Sequence, residues 1–220
     1  MKFEDIKGFA FDLDGVIADS ARLHAKAWHQ TADEVHSEWT PELAEALKGV
    51  SRMDSLEMIL KAGGHENDYT EDEKVALATE KNTKYLKLVE SLTPDDVLPG
   101  MKAFLDELKA SGYKMSVASA SKNAPAILKQ LKITDYFEGV VDPAKLHAGK
   151  PDPEIFSLAA GVMDLEPEVV AGLEDSGAGI KSINAAGELS IGIGNQLMEA
   201  DVRFADTSEV SLKNIKAKLG

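Results

Sequence analysis

The pattern of hydrophobic and polar residues changes twice along this chain. An apolar run over residues 8–11 predicts a short buried strand. From residue 20 to about residue 91 the apolar residues recur at helical spacings, with Pro41 suited to the first turn of a helix and a break at Gly63 and Gly64. This stretch therefore predicts helices only, the last of them over residues 71–92.

After about residue 99, short apolar runs alternate with amphipathic helices. We predict strands over 114–118, 139–141, 169–173 and 190–193, and helices over 101–112, 126–131, 154–163 and 177–186. This alternation is typical of a parallel sheet with helices on both faces. The predicted fold is α/β: a doubly wound parallel-sheet (Rossmann-like) core of residues 1–17 and 93–220, with an all-helical cap of residues 18–92 inserted after the first strand.

Composition and charge exclude several classes of function. The 220 residues carry a formal net charge of −14, which disfavours nucleic acid or an anionic membrane as a partner. The absence of cysteine excludes thiol catalysis, disulfides and thiolate metal sites. Because the sequence has no apolar leader and no run of membrane-spanning length, we expect a soluble cytoplasmic protein. We also expect a monomer, since a cap that closes over the core needs no second subunit.

Candidate catalytic residues follow the predicted strands, where an open α/β sheet binds its ligands. They are Asp12 and Asp14, the segment Ser119, Ala120, Ser121, Lys122 and Asn123, then Lys150, and finally Glu174 and Asp175. Carboxylates without His or Cys suit Mg²⁺, whereas Ser119, the amide of Ala120 and Lys150 suit the oxygens of a phosphoryl group. Asp12 can then attack phosphorus, and Asp14 can move a proton to or from the hydroxyl.

Each of these residues also has a structural interpretation. Asp175 can be the N-cap of the following helix, and Glu174 a surface charge. Lys150, before a proline, can be a solvated loop residue, and Ser119 and Ser121 can be turn hydroxyls. What favours a single site is that all four segments stand, in order, after predicted strands.

The four segments resemble the signature of the haloacid dehalogenase superfamily. Asp12-Leu13-Asp14-Gly15-Val16, Ser119, Lys150 and Glu174-Asp175 match its four motifs in order. The resemblance implies that Asp12 is the nucleophile and Asp14 the general acid/base. It further implies that Ser119 and Lys150 bind phosphate and that the acids, with Asp12 and Asp14, hold Mg²⁺. Since Asp14 is present, it implies phosphoryl transfer rather than dehalogenation.

Other segments resemble the β-phosphoglucomutase family within that superfamily. They are Gly49-Val50-Ser51-Arg52, Ser119 to Asn123, Gly149-Lys150-Pro151, Glu174-Asp175-Ser176, and Asp19-Ser20 followed by His24 and Trp28. The resemblance implies that Arg52 grips the phosphate far from the metal, that Lys81 contacts the sugar, and that His24 couples closure to acid/base chemistry. It places Gly49, Val50, Ser51, Trp28, Ser121, Lys122 and Asn123 at the substrate. Met53 and Ser20 depart from the family pattern, and residues 35–41 match it poorly.

The cap residues have structural alternatives too. His24 and Trp28, four residues apart on a helix, can simply pack on each other, and Arg52 can be a surface charge. A mutase, however, needs a second anion site, because its bisphosphate intermediate carries a phosphate at each end, and arginine suits that task.

Our leading hypothesis is a Mg²⁺-dependent mutase that interconverts β-D-glucose 1-phosphate and D-glucose 6-phosphate. It would act through an aspartyl phosphate and β-glucose 1,6-bisphosphate, with glucose 1,6-bisphosphate as the priming donor. A sugar-phosphate phosphatase on the same scaffold is the alternative, because the two differ only in whether water or a sugar hydroxyl reaches the aspartyl phosphate. A signalling module that holds phosphate on Asp12 is a more distant one, since it needs no cap.

Overall fold

A single parallel sheet organises the structure, a computed structural model that describes residues 1–48 and 50–220. Its six strands are β1 (Gly8–Phe11), β2 (Lys114–Val117), β3 (Gly139–Val140), β4 (Val170–Glu174), β5 (Leu189–Ile193) and β6 (Val202–Phe204). They lie in the order β3-β2-β1-β4-β5-β6, and every neighbouring pair is parallel. The strand order reverses at β1, and such a switch point opens a crevice at the carboxyl ends of the strands.

Nine α-helices are present in the described residues. They are α1 (Ala21–Glu34), α2 (Pro41–Ala46), α3 (Arg52–Gly63), α4 (Glu71–Val89), α5 (Met101–Ala110), α6 (Ala124–Gln130), α7 (Glu154–Val162), α8 (Gly177–Ala186) and α9 (Leu212–Leu219). The first four lie between β1 and α5, and over that described stretch the chain contributes no strand to the sheet. The predicted fold class is thus confirmed: a Rossmann-like parallel sheet with helices inserted after its first strand.

Local sequence explains where the inserted helices begin and end. Ser51 caps α3, its hydroxyl accepting a hydrogen bond from the amide of Asp54 at 3.3 Å, and Gly64 ends that helix in the left-handed conformation at φ 73°. Thr70 and Glu73 form a capping box at the start of α4. The last inserted helix ends at Val89 rather than at the predicted residue 92.

The buried hydrophobic residues form three clusters, one of which packs α7 and α8 against the sheet around Phe156 and Ile180. A second cluster lies within α1, α3 and α4 and includes Trp28, Leu56 and Ile59. The third and largest cluster, on the sheet, also takes in Leu23 of α1 and Tyr85 of α4. The inserted helices therefore have a core of their own and also rest on the sheet.

The chain crosses between the sheet and the inserted helices along two segments that lie side by side. The amide of Leu98 donates to the carbonyl of Ile17 at 2.9 Å, and the amide of Asp19 donates to that of Asp96 at 3.0 Å. This pairing fixes where the helices sit above the sheet. No helix in the described chain has the length and apolar character needed to cross a membrane.

Candidate active site

The carboxylate of Asp12 lies at the carboxyl end of the central strand β1. Its backbone amide donates to the carbonyl of Leu173 at 3.0 Å, which ties the residue to the end of β4. Gly15 follows with φ 91°, and a Cβ atom at that position would collide with the carboxylate of Asp175. Glycine is therefore required in this turn both by the backbone conformation and by the close approach of the acid.

Lys150 joins two of the predicted acids. Its Nζ lies 2.6 Å from Oδ1 of Asp12 and 2.7 Å from Oε2 of Glu174, and its side chain is only 1% exposed. Burial alone would lower the pKa of Lys150, but the two carboxylates outweigh burial and raise it. Lys150 is therefore a buried, charged partner of the two acids, and it does not act as a solvated loop residue.

Three acids offer oxygens to one point in this site. Carboxylate oxygens of Asp12, Glu174 and Asp175 all lie within 4.8 Å of one another. Burial, and then the neighbouring Glu174, raise the pKa of Asp12 and also raise that of Asp175. Three acids beside one lysine leave an excess of negative charge, which a divalent cation relieves. Oxygen-only ligands fit Mg²⁺, so the residues present fit this ion.

Backbone amides just before α8 hold Glu174 in place. One oxygen of Glu174 accepts hydrogen bonds from the amides of Asp175 at 3.1 Å and Ser176 at 3.0 Å. The helix α8 is capped by Ser176, so Asp175 does not serve as its N-cap. The carboxylate of Asp14 is not one of these three and accepts a hydrogen bond from the Ser20 hydroxyl at 2.5 Å. Its place among the metal ligands stays a prediction.

His24 lies between Asp14 and Lys81. Its ring stacks on Tyr85 with centroids 3.9 Å apart, and its Nδ1 lies 3.0 Å from Nζ of Lys81. Burial first, and then the positive charges of Lys81 and Arg52, lower the pKa of His24 to about 4, so the ring is neutral near pH 7. Burial lowers the pKa of Lys81 to about 7. In its ammonium form Lys81 can only donate to Nδ1, and the ring proton is then on Nε2.

That ring proton faces Asp14. The distance from Nε2 to Oδ2 of Asp14 is 3.7 Å, which is too long for a hydrogen bond, and Nε2 is buried without a partner among the described residues. Lys81 also sits 4.3 Å from the ring centroid of Trp28. His24 and Trp28 are thus connected through Lys81, which differs from the simple packing that their spacing permits.

The segment after β2 supplies small polar groups. The Ser119 hydroxyl accepts from the amide of Ser121 at 3.2 Å, and the Ser121 hydroxyl accepts from the amide of Asn123 at 3.2 Å. These contacts shape the turn, as the structural interpretation predicts. The same residues also line the cavity described next, so the two interpretations hold together.

A cavity of about 780 Å³ collects the predicted residues. From the sheet side it is lined by Asp12, Asp14, Ser119, Ala120, Ser121, Lys122, Asn123, Lys150, Glu174 and Asp175, and from the helices by His24, Trp28, Val50, Ser51, Arg52 and Lys81. Every predicted site residue within residues 1–48 and 50–220 is in these two sets. Gly49 lies outside the described residues. The individual roles stay predictions.

Three residues of the site were not predicted from the sequence. Nζ of Lys48 lies 3.8 Å from Oδ2 of Asp175, which brings a positive charge from the helices to the acids. Tyr85 supports His24, and its position one helical turn after Lys81 was a signal that could have found it. Asn82 connects Arg52 to Asn123, a contact that no local pattern announces.

Comparison with known proteins agrees with this arrangement. The family described as haloacid dehalogenase-like hydrolase matches residues 6–187. The chain is 43% identical over 210 residues to the β-phosphoglucomutase of Bacillus subtilis, covering 94% of this chain and 93% of that protein. It is 28% identical over 179 residues to a phosphorylated carbohydrates phosphatase of Thermotoga maritima, covering 80% of each. Its structure matches a crystal structure of β-phosphoglucomutase from Clostridium difficile with a TM-score of 0.94, 39% identity and 97% coverage of both chains.

Proposed function

We propose that this chain, which belongs to the haloacid dehalogenase-like hydrolase family, is a β-phosphoglucomutase that interconverts β-D-glucose 1-phosphate and D-glucose 6-phosphate. The observation that carries the proposal is one cavity lined by a cationic residue from the sheet side and another from the helices. Lys150 lies beside Asp12, and Arg52 lines the cavity from the helices. A sugar bisphosphate needs such an arrangement. The 43% identity to the Bacillus subtilis enzyme supports the same assignment.

Asp12 would carry the phosphoryl group. Phosphorylated Asp12 transfers it to the 6-hydroxyl of β-glucose 1-phosphate: a bond forms between phosphorus and O6, and the bond to the carboxylate breaks. Asp14 takes the hydroxyl proton. The bisphosphate then turns end for end, its C1 phosphoryl group passes to Asp12, and Asp14 returns the proton to O1, which yields glucose 6-phosphate.

The charged neighbours of Asp12 favour this transfer. The ammonium group of Lys150, with the hydroxyl of Ser119 and the amide of Ala120, would hold the phosphoryl oxygens in line. The family implies Mg²⁺ dependence, and Asp12, Glu174 and Asp175 would hold the ion. When bound, Mg²⁺ neutralises charge on the transferring group. The priming role of glucose 1,6-bisphosphate is part of this proposal.

The helices would act as a cap over the reaction. Residues 18–92 would form this cap domain, and residues 1–17 and 93–220 the catalytic core. Neutral His24, held by Lys81, belongs to the cap, whereas Asp14 belongs to the core, so the position of the cap would set the distance between His24 and Asp14. A closed cap excludes water from the aspartyl phosphate, which favours transfer to sugar over hydrolysis.

The test is an assay with β-glucose 1-phosphate, Mg²⁺ and a priming amount of glucose 1,6-bisphosphate. The proposal predicts glucose 6-phosphate without matching free phosphate. Asp12→Asn should abolish the reaction, and Lys145→Met, an exposed change in a nearby loop, should leave it intact. Free phosphate as the only product would instead indicate a sugar-phosphate phosphatase, the activity of the Thermotoga maritima relative.

A further inference from the structure

One carboxamide oxygen connects two inserted helices to the segment that follows β2. Oδ1 of Asn82 accepts a hydrogen bond from Nη2 of Arg52 at 2.8 Å and another from Nδ2 of Asn123 at 2.9 Å. Arg52 begins α3, Asn82 lies in α4, and Asn123 is the N-cap residue of α6. All three side chains line the cavity.

The chemistry of the partners fixes how Asn82 is oriented. A guanidinium group only donates hydrogen bonds, so the oxygen of Asn82, and not its nitrogen, must face Arg52. The same oxygen receives the amide hydrogen of Asn123. One acceptor therefore holds two donors, one from an inserted helix and one from the segment after β2, within hydrogen-bond reach of a single point.

Each donor keeps capacity for a ligand. Arg52 has five N–H groups and Asn123 has two on its side chain, and Asn82 uses one of each. Phosphate oxygens are the natural acceptors for an arginine fork and an adjacent amide. The hydrogen bonds to Asn82 restrain both side chains, so the remaining N–H groups of Arg52 and Asn123 are restricted in orientation.

The neutrality of Asn82 matters at this position. A carboxylate would accept the same two hydrogen bonds, but it would neutralise Arg52 and repel a phosphate. A carboxamide orders the donors and leaves the positive charge of Arg52 available. Lys122, which precedes Asn123, also lines the cavity and adds a positive charge from the sheet side.

We propose that Asn82 is a positioning residue that sets Arg52 and Asn123 as a paired donor for the phosphate held away from Asp12. This inference rests on the proposed function, because it requires a ligand with a second phosphate. Since the three residues come from both the helices and the sheet domain, the donor pair is complete only when the helices lie over the sheet. A bisphosphate should therefore depend on Asn82, and a lone phosphate beside Lys150 should not.

The test compares two ligands by calorimetric titration in protein carrying Asp12→Asn, which cannot accept a phosphoryl group. Asn82→Ala should weaken binding of β-glucose 1,6-bisphosphate roughly tenfold, the effect of losing a hydrogen bond to a charged group, and leave binding of orthophosphate unchanged. Thr83→Ala, an exposed neighbour on α4, is the matched control and should change neither. Equal weakening for both ligands, or no weakening, overturns the inference.

A second pair of variants separates positioning from a general structural role. In an Arg52→Ala background, Asn82→Ala should add little further loss, because Asn82 acts through Arg52. Asn82→Asp should weaken the bisphosphate more than Asn82→Ala, because it neutralises Arg52. Additive losses, or an Asp variant that binds normally, overturn the inference. If the Asp12→Asn protein itself binds no bisphosphate, both the proposed function and this inference fail. If the Asp12→Asn protein binds the bisphosphate normally and Asn82→Ala does not weaken that binding, the inference fails and the proposed function stands.

Discussion

The ammonium group of Lys150 lies 2.6 Å from the carboxylate of Asp12, with both side chains buried at the carboxyl end of the central strand. The same ammonium lies 2.7 Å from Glu174. Lys150 thus offsets part of the negative charge of the two carboxylates, a charge that attracts a metal ion and repels a phosphoryl group. This relationship leads to a prediction in which two ligands respond in opposite directions.

Lys150→Met should bind Mg²⁺ more tightly and phosphate more weakly than the wild-type protein. Removing the lysine raises the negative charge around Asp12 and Glu174, which attracts a cation and repels an anion. Calorimetric titration of Mg²⁺ and of orthophosphate measures both effects, with Lys145→Met, exposed in a nearby loop, as the control. If both ligands weakened together, a collapsed site would be the explanation and the charge argument would be wrong.

Mg²⁺ should stabilise the protein near neutral pH and lose that effect in acid. Burial and Glu174 raise the pKa of Asp175 to about 7, so its carboxylate is present only as the pH rises through that region. A ligand at a hundred times its dissociation constant adds about 2.7 kcal/mol to the free energy of unfolding. Thermal unfolding with and without Mg²⁺, at pH values on both sides of the Asp175 pKa of about 7, measures the difference. A shift independent of pH would contradict the role of these acids.

Arg52→Ala should weaken the bisphosphate more than it slows phosphorylation of Asp12. Burial lowers the pKa of Arg52, but a guanidinium keeps its charge at neutral pH. In the proposed arrangement it binds the phosphate that lies away from Lys150. The loss should be roughly ten- to a hundredfold in affinity, as for a hydrogen bond to a charged group. Bisphosphate titration and rapid-quench phosphorylation by acetyl phosphate separate the two steps. Equal losses in both would argue against a role at the second phosphate.

Glu188 provides a pH test away from the cavity. Both of its carboxylate oxygens are buried without a hydrogen-bond partner among the described residues, and burial raises the pKa of Glu188 well above its ordinary 4.5. Above pH 4.5 the unfolded chain releases this proton while the folded chain keeps it, so Glu188 lowers stability progressively as the pH rises. Below pH 4.5 both states hold the proton and the effect vanishes.

The Glu188→Gln protein should therefore become more stable relative to the wild type as the pH rises above 4.5, the ordinary pKa of the side chain. The free energies of unfolding of the two proteins should converge in acid. Urea unfolding at several pH values measures this difference. Glu168→Gln, on the surface, serves as the control and should run parallel to the wild type. A constant offset between Glu188→Gln and the wild type at all pH values would contradict a protonated buried carboxyl.

The main features of the fold and the gathering of the site residues could be predicted from the sequence because both depend on local patterns. Parallel strands bring their carboxyl ends to one edge, so Asp12, Ser119 and Glu174 had to approach each other once their strands were recognised. The last strand, Val202–Phe204, was missed because three residues with Arg203 at the centre carry little apolar signal. Helix α9 was missed too, since its lysines obscure the apolar spacing.

Contacts between distant segments could not be predicted from periodicity. Asn82 meets Arg52 and Asn123, residues 30 and 41 positions away, only because the tertiary fold brings α3, α4 and α6 together. The same holds for Lys48, which reaches Asp175 from the inserted helices. Such positions carry polar side chains whose local pattern is that of an ordinary helix surface or loop.

The most direct test of the account follows the phosphoryl group itself. The enzyme is labelled on Asp12 with radioactive phosphate from glucose 1,6-bisphosphate, mixed with excess unlabelled β-glucose 1-phosphate, and quenched over one turnover. The account predicts that the label leaves Asp12 for the sugar bisphosphate and then glucose 6-phosphate, with little in inorganic phosphate. Label that passes from Asp12 mainly to inorganic phosphate would contradict a mutase and establish a phosphatase.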